Sequence, residues 1–306
     1  MKLSIVTTLY QSSEYIEEFY NRITKEANKI TNNYEVIFVD DGSPDDSLQK
    51  AISLYEKDDK VQILELSRNF GHHKAIMTGL SHAKGDFVFL IDSDLEEDPK
   101  LLFEFWEELQ KNNDLDMVYG VQKTRKGSRF EKISGSLYFT IFNMLSDVKI
   151  PKNFLTIRLM KKKFVENLIL FNERELVFSV INTLVGFKSK RIIVKKLDHS
   201  PSTYSLRMRL ALFLETVVSA TPKPLWIIFN IGLLITIVSS IYILFLIYGK
   251  LLHNSIIDGW TSLMVLLSFF GGFIIFVLGI IGIYISKIFV EVKERPYSII
   301  RRRYQK

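Results

Sequence analysis

Asp92 and Asp94 stand two residues apart near the end of the stretch FVFLIDSDLEEDP, residues 87–99. Side chains alternate along an extended chain, so the two carboxylates share one face. Paired hard oxygen donors suit Mg2+ or Mn2+, ions that take one or two protein carboxylates and fill their remaining positions with phosphate oxygens and water. Acids after a strand are equally the mark of a helix start, where they meet unpaired N–H groups. A second cluster, Asp40-Asp41-Gly42-Ser43-Pro44-Asp45-Asp46-Ser47, divides along the same line. Ser43 fits a helix cap, Pro44 its first turn, and Asp45 and Asp46 its positive end. Asp40 and Asp41 are then spare, and a carboxylate at a sheet edge can accept from a base N–H. In a third group, residues 67–74, Arg68 and Lys74 could neutralise a diphosphate and Gly71 would admit close backbone approach. His72 and His73 would diverge by about 100° on a helix, so one is expected to pack and the other to face ligand or solvent.

These groups need a scaffold that ends several strands at one edge. Leu3 to Tyr10 reads as a strand, 15–30 as an amphipathic helix, 35–39 as a strand and 61–66 as a third strand. A helix to Ala83 leads into the apolar run from Phe87, and a further helix covers 101–109 after the cap-like Asp98-Pro99. Strands alternating with helices predict a parallel α/β sheet, whose ligands lie at the C-terminal strand edge. A strand at 117–119 opens a basic segment, 122–132, suited to a phosphate-seeking loop.

The last third has a different composition. Residues 225–248 and 260–286 carry no charged side chain, and each exceeds the roughly 20 apolar residues needed to cross a bilayer. The link 249–259 is short, so the two spans predict a hairpin, and the basic tail with Arg301, Arg302 and Arg303 places its outer ends in the cytosol. Leu206 to Val218 mixes Arg207 and Arg209 with apolar residues, the pattern of a helix lying in the membrane interface. The chain of 306 residues carries a formal charge of +6. Because its basic residues flank apolar segments, the expected anionic partner is a membrane surface and not nucleic acid. With no cysteine, disulfides, thiolate metal sites and a thiol nucleophile are excluded.

The segments VDDGSPDDS, SRNFGHHKAIMTGLSHAKGD, DSDLEEDP and GIYISKIFVEVKERPYSIIRRR, in this order, resemble the polyprenyl-phosphate glycosyltransferases of family two, the group of dolichol-phosphate mannose synthase and bacterial undecaprenyl-phosphate glucosyltransferases. The resemblance implies a glycosyltransferase-A (Rossmann-like) α/β domain with a mixed sheet, over 1–204. It further implies an interfacial helix and linker at 205–224, a transmembrane hairpin within 225–286 and a basic cytosolic tail at 287–306. The implied reaction is inverting transfer from a nucleotide sugar, with a UDP-sugar favoured, to the phosphate of a polyprenyl phosphate, with undecaprenyl phosphate favoured. The alternative is a membrane glycosyltransferase acting on a sugar hydroxyl of a glycolipid or polysaccharide.

By the same resemblance, Mg2+ or Mn2+ is held by Asp92, Asp94 and Glu96, the last standing where relatives commonly have Gln. The donor lies against Thr8, Tyr10, Asp40, Asp41, Arg68, Asn69, Gly71, His72, Asp92 and Ser93. Arg158 matches the Arg of a G-D-F-R-L-M pattern in which Thr156 here replaces Asp, and joins Asp92 and Asp94 as a catalytic expectation. Arg125, Arg129 and Arg207 are the cationic candidates to receive the acceptor phosphate. A phosphate acceptor is anionic near neutral pH, so no strong general base is expected. The product would be a lipid-linked sugar for cell-surface glycosylation, passed to a flippase and a further glycosyltransferase. A homo-oligomer, tetrameric by resemblance, is compatible with the glycines at 271, 272, 279 and 282, and the protein is expected in the cytoplasmic membrane, multi-pass, with both termini cytosolic.

Overall fold

The computed structural model describes residues 1–122, 140–145, 149, 153–174, 177–196, 217, 221–253 and 259–306. The acceptor-phosphate expectations at Arg125, Arg129 and Arg207, and most of the interfacial helix, lie outside the described residues.

The first strands are continuous apolar runs because helices cover both of their faces. They are β1 (Leu3–Leu9), β2 (Tyr34–Asp40), β3 (Val61–Leu66) and β4 (Phe87–Leu90), with α1 (Ile16–Ile30), α2 (Ser47–Lys57) and α3 (His72–His82) between them. Then come α4 (Leu101–Lys111), β5 (Met117–Gln122), β6 (Phe154–Lys161), α5 (Lys162–Leu168), α6 (Phe178–Leu184) and β7 (Ser189–Val194). Two long helices, α7 (Lys223–His253) and α8 (Trp260–Val292), precede a final strand, β8 (Ile300–Tyr304).

The eight strands among the described residues form one sheet in the order β7-β5-β6-β4-β1-β2-β3-β8. The central strands β4, β1, β2 and β3 run parallel, while β6 and β8 run antiparallel to their neighbours β4 and β3. The mixed sheet of the sequence-based reading is thus present. One apolar layer joins Phe19 and Ile23 of α1, Ala51 of α2 and Phe105 of α4 to the sheet; the other joins Ile76 and Leu80 of α3, Phe164 of α5 and Ile181 of α6. The chain steps outward from β1 to β2 and β3, then returns to place β4 on the other side of β1. That reversal is a topological switch point, and it opens a crevice above the C-terminal ends of β1 and β4.

Three strands were not expected. β6 carries Arg158 in its middle, β7 opens on the exposed Ser189-Lys190-Arg191 before Ile192-Ile193-Val194, and β8 is the Ile300-Arg301-Arg302-Arg303-Tyr304 run of the basic tail. The tail is therefore stitched into the sheet: Ile300 pairs with Leu66 and Tyr304 with Ile63. The expected cap at Ser43 is also displaced. α2 begins at Ser47 with Asp46 at its cap position making no side-chain cap bond, while Asp45 accepts from the Ser47 hydroxyl at 2.6 Å and from the Ser47 N–H at 3.3 Å. At Asp98 the expectation holds, since its carboxylate accepts from the Lys100 N–H (3.0 Å) just before α4 and also from Arg22 (2.8 Å).

α7 and α8 extend beyond the two apolar runs at 225–248 and 260–286. Among the described residues, Phe269–Val292 is the helical stretch long and apolar enough to cross a membrane, and Lys223–Ile235 is a shorter apolar stretch. Pro224 sits in the first turn of α7, where its missing N–H costs nothing.

Candidate active site

The switch point sets where each strand releases its side chains. β4 ends at Leu90, and one more ladder bond, Ile91 N–H to the Val6 carbonyl (3.2 Å), carries the chain to Asp92 beside the end of β1. Ser93 is buried, and its hydroxyl donates to the Thr8 carbonyl at 3.0 Å, locking the acid loop to β1. Leu95 then adopts φ 58°, a left-handed conformation costly for a branched side chain, while its side chain inserts into the core. This buried anchor turns the chain tightly between Asp94 and Glu96, and the Glu96 N–H donates to Asp94 Oδ1 at 3.0 Å.

The carboxylates do not stand alike. Asp92 Oδ1 is buried and makes no hydrogen bond among the described residues; His72 Nε2 lies 3.5 Å from it, in ion-pair range. Burial, with the repulsion of Asp92 and Glu96 added, raises the pKa of Asp94. Both observations mark a place short of positive charge, and the donors available are hard oxygens, so Asp92 and Asp94 fit a divalent ion such as Mg2+ or Mn2+. Among the described residues no three acid or imidazole groups converge closely enough to hold an ion by themselves. Glu96 instead meets the Lys196 ammonium, which also lies 3.4 Å from Glu97 Oε1. Glu97 is only 1% exposed, and burial followed by repulsion from Asp92 pushes its pKa up to about 8. Burial opposes the charge on Lys196, but Glu97 and Glu96 outweigh it and raise its pKa, so the ammonium keeps its proton and Glu97 is the softer partner.

The donor-side residues gather at the ends of β1, β2 and β3. Thr8 Oγ1 is 3.1 Å from His72 Nδ1, so His72 bridges the end of β1 to Asp92. His73 lies 6.2 Å from the Phe178 ring and 5.9 Å from the His72 ring, between centroids, and both histidines stay exposed, so the expected division into one packed and one facing outward is not seen. Tyr10 is half exposed, and Asp40 is buried with Oδ1 unbonded among the described residues; burial raises the Asp40 pKa against the pull of the neighbouring Ser43 and Gly42 donors. Asp41 spends both oxygens on the loop before α3, accepting from the Phe70 N–H (2.7 Å) and the Gly71 N–H (2.9 Å). Gly42 is required beside it: φ is +67°, and a Cβ there would lie 2.6 Å from the Asn69 nitrogen. Arg68 is exposed, folded over the Phe70 ring at 4.3 Å, with Nη1 donating to the Asn69 carbonyl.

Arg158 is placed by β6, opposite Leu90 of β4. It is fully buried: Nε donates to the Thr156 carbonyl (2.7 Å), Nη2 to the Leu155 carbonyl (2.9 Å), and the guanidinium lies between the Phe154 and Phe178 rings at 4.7 and 4.4 Å. Burial lowers its pKa to about 9, with Asp92 pulling the other way, and the group stays cationic at neutral pH. The structure thus brings together Thr8, His72, Asp92, Ser93 and Asp94, sets Arg158 behind Asp92, and sets Glu96 apart with Lys196. Glu97 and Lys196 were not foreseen as a pair.

Comparison with known proteins agrees with this geometry. Residues 4–169 match the family described as Glycosyl transferase family 2. A glycosyltransferase of Mycobacterium tuberculosis, described by that class alone, is 45% identical over 304 residues, covering 99% of this chain and 89% of that protein. The bactoprenol glucosyl transferase of Shigella phage SfV is 30% identical over 308 residues, with 100% of both chains covered. Among solved structures, mannosyltransferase PcManGT from Pyrobaculum calidifontis in complex with GDP-Man and Mn2+ superposes with a TM-score of 0.51 at 18% identity, covering 71% of this chain and 63% of that one, a likeness of fold. The chain belongs to glycosyl transferase family 2 and carries the glycosyltransferase-A fold.

Proposed function

We propose that this enzyme transfers a sugar from a nucleotide sugar to the phosphate of a polyprenyl phosphate, with inversion at the sugar carbon, at the cytosolic face of a membrane. The observation that carries the reading is where the apolar helix joins the sheet. β8 enters beside Leu66, the C-terminal end of β3, and the Ser67 N–H donates to the Ile299 carbonyl at 2.9 Å. That is the edge from which β4 releases Asp92 and Asp94. The connector is also tied to α3 through Thr78 and Ser298 hydroxyls 2.6 Å apart, and Glu291 in the last turn of α8 accepts from the Arg174 N–H at 2.8 Å. An acceptor held in the bilayer by its hydrocarbon would present its phosphate to the acid edge. Full-length likeness to bactoprenol glucosyl transferases supports the same acceptor class.

In this reading Thr8, Tyr10, Asp40 and Asp41 receive the nucleobase and ribose, with Asp41 also holding the loop of Arg68, Asn69 and Gly71 against the diphosphate. Asp92 and Asp94 hold Mg2+ or Mn2+, an ion present with the donor in the fold relative. When bound, the ion supplies charge to the departing nucleoside diphosphate. Arg158 acts from behind Asp92, setting its position and offsetting its charge. The acceptor phosphate attacks as an anion, so Thr156 in place of an acid leaves the reaction without need of a base. α7 and α8 cross the membrane as a hairpin; Tyr284 OH of α8 donates to the Thr221 carbonyl ahead of α7 (2.9 Å), joining the two helices at the catalytic end.

The test uses the full chain in detergent or nanodiscs with Mn2+, undecaprenyl phosphate and a panel of UDP-, GDP- and dTDP-sugars. The expected product is a glycosyl phospholipid of inverted configuration, cleaved by mild acid, and Asp94→Asn should lower its formation at least about a hundredfold. An acid-stable glycoside would place transfer on a hydroxyl, and an unchanged rate in Asp94→Asn would remove the metal role.

A further inference from the structure

We infer that Glu96 and Glu97 form a clamp for Lys196, so that the metal is held by Asp92 and Asp94 without Glu96, and Lys196 is a second, fixed cation for the donor diphosphate. This rests on the nucleotide-sugar reading above and deepens it.

The three groups come from distant parts of the chain. Lys196 follows β7, which lies at the far end of the sheet, and reaches back across it to the acid loop. The other lysines of that segment behave as surface groups: Lys188 pairs with exposed Asp114, and Lys190 is half exposed where it meets Glu108. Lys196, by contrast, keeps only 21% of its side chain exposed between two glutamates, one of them almost fully buried. Neither Glu97 oxygen makes a hydrogen bond among the described residues, so the ammonium is its visible compensation. Lys196 is thus placed between Glu96 and Glu97, with an ion-pair distance to each.

The backbone explains why Glu96 serves the clamp. The left-handed turn at Leu95 separates the carboxylate of Glu96 from that of Asp94, while its N–H is tied to Asp94 Oδ1. Two carboxylates already meet the usual protein share of a magnesium-like ion that also binds phosphates. A third would make the site more anionic just where a doubly charged leaving group must gather. With Glu96 and Glu97 engaged by an ammonium, the edge instead presents a divalent ion and a lysine side by side, both signs suited to a diphosphate.

Binding of Mn2+ to the purified full chain, with UDP present, can be followed by loss of the free-ion EPR signal, alongside steady-state kinetics. Asp94→Asn should weaken Mn2+ binding by at least about tenfold, in the range of lost ligand interactions. Glu96→Ala, which removes every possible donor oxygen, should leave it unchanged while raising the donor KM. Lys196→Met should also leave Mn2+ binding intact, raise the donor KM and lower kcat, and Lys196→Arg should restore part of both, which separates the charge from any folding defect. If Glu96→Ala weakens Mn2+ binding as Asp94→Asn does, Glu96 is a ligand and the clamp is wrong. If Lys196→Met leaves KM and kcat untouched, the lysine is not a donor cation. If Asp94→Asn itself leaves Mn2+ binding unchanged, the underlying metal reading fails instead.

Discussion

A buried arginine is expensive unless its charge and each donor are answered, and Arg158 is only partly answered. Two donors reach backbone carbonyls and two aromatic rings flank the plane, but Nη1 has no hydrogen-bond partner among the described residues. The acid that opposes the effect of burial on it is Asp92. The residue is thus set up to act on Asp92 more than on the solvent. Replacing it by Met fills much of the volume without a charge, so stability should move by no more than about 2 kcal/mol in either direction. Activity should fall by about a hundredfold or more, mainly in kcat, because Asp92 would lose its positive neighbour. Lys cannot span both carbonyls and stack between Phe154 and Phe178, so Arg158→Lys should be both inactive and less stable than Arg158→Met. Thermal unfolding and kinetics of the two variants decide it: an active Arg158→Met would reduce the residue to packing.

At the scale of elements, legibility followed local pattern. β3 and the amphipathic α1 announce themselves because their apolar residues recur at the period of the element. β6 does not, because its buried face includes a charged side chain whose partners are carbonyls of its own strand. β8 does not either: a run of three arginines becomes a strand only because β3 offers a free edge, and Arg301 finds Glu65 there at 3.4 Å. The acid pair Asp92 and Asp94 was readable from spacing, whereas the Lys196 clamp joins residues a hundred positions apart. The sheet's opposite edge shows a similar long-range knot. Glu35 of β2, 2% exposed, accepts from Lys2 Nζ (2.5 Å), Ser4 Oγ (2.5 Å), the Lys84 N–H (2.8 Å) and Gln62 Nε2 (3.0 Å), tying β1, β3 and the start of β4 together. Burial would raise its pKa, but the Lys2, Ser4 and Lys84 donors win and hold it below the ordinary 4.5. A folded-state pKa below the unfolded one gives stability present above the unfolded value and lost as pH falls through the folded one. Glu35→Gln should therefore unfold about 2–4 °C below the parent at neutral pH. That gap should close as pH drops below 4.5, the ordinary value. Melting curves that stay parallel to strong acid would show that the carboxylate's charge is not what holds the knot.

For the whole molecule, the decisive relation is between the sheet and the helix that leads into it. α8 presents Ile275, Phe276, Ile285 and Phe289 more than half exposed, an apolar surface that water would not tolerate at this extent. Its C-terminal end is fixed by Arg174, Ser298 and β8 to the edge that bears the acids, so if α8 lies in a bilayer, its orientation there and the orientation of the site are one constraint. If α7 and α8 form a hairpin, Gly259 at the start of α8 lies across the membrane from Gln305, beyond β8. The chain has no cysteine of its own, so single substitutions report without background. Gly259→Cys should react with a membrane-impermeant maleimide on intact cells, while Gln305→Cys should react only after the cells are opened. Both variants should keep transferase activity, since neither touches the acid edge. Labelling of both positions on intact cells would put the catalytic domain outside, and labelling of neither would leave both α7 and α8 without a crossing. A hairpin with the observed attachment has a further mechanical consequence: the acid edge cannot tilt away from the bilayer without breaking the β3–β8 ladder. A lipid acceptor would then need to rise only to its phosphate to meet Asp92 and Asp94.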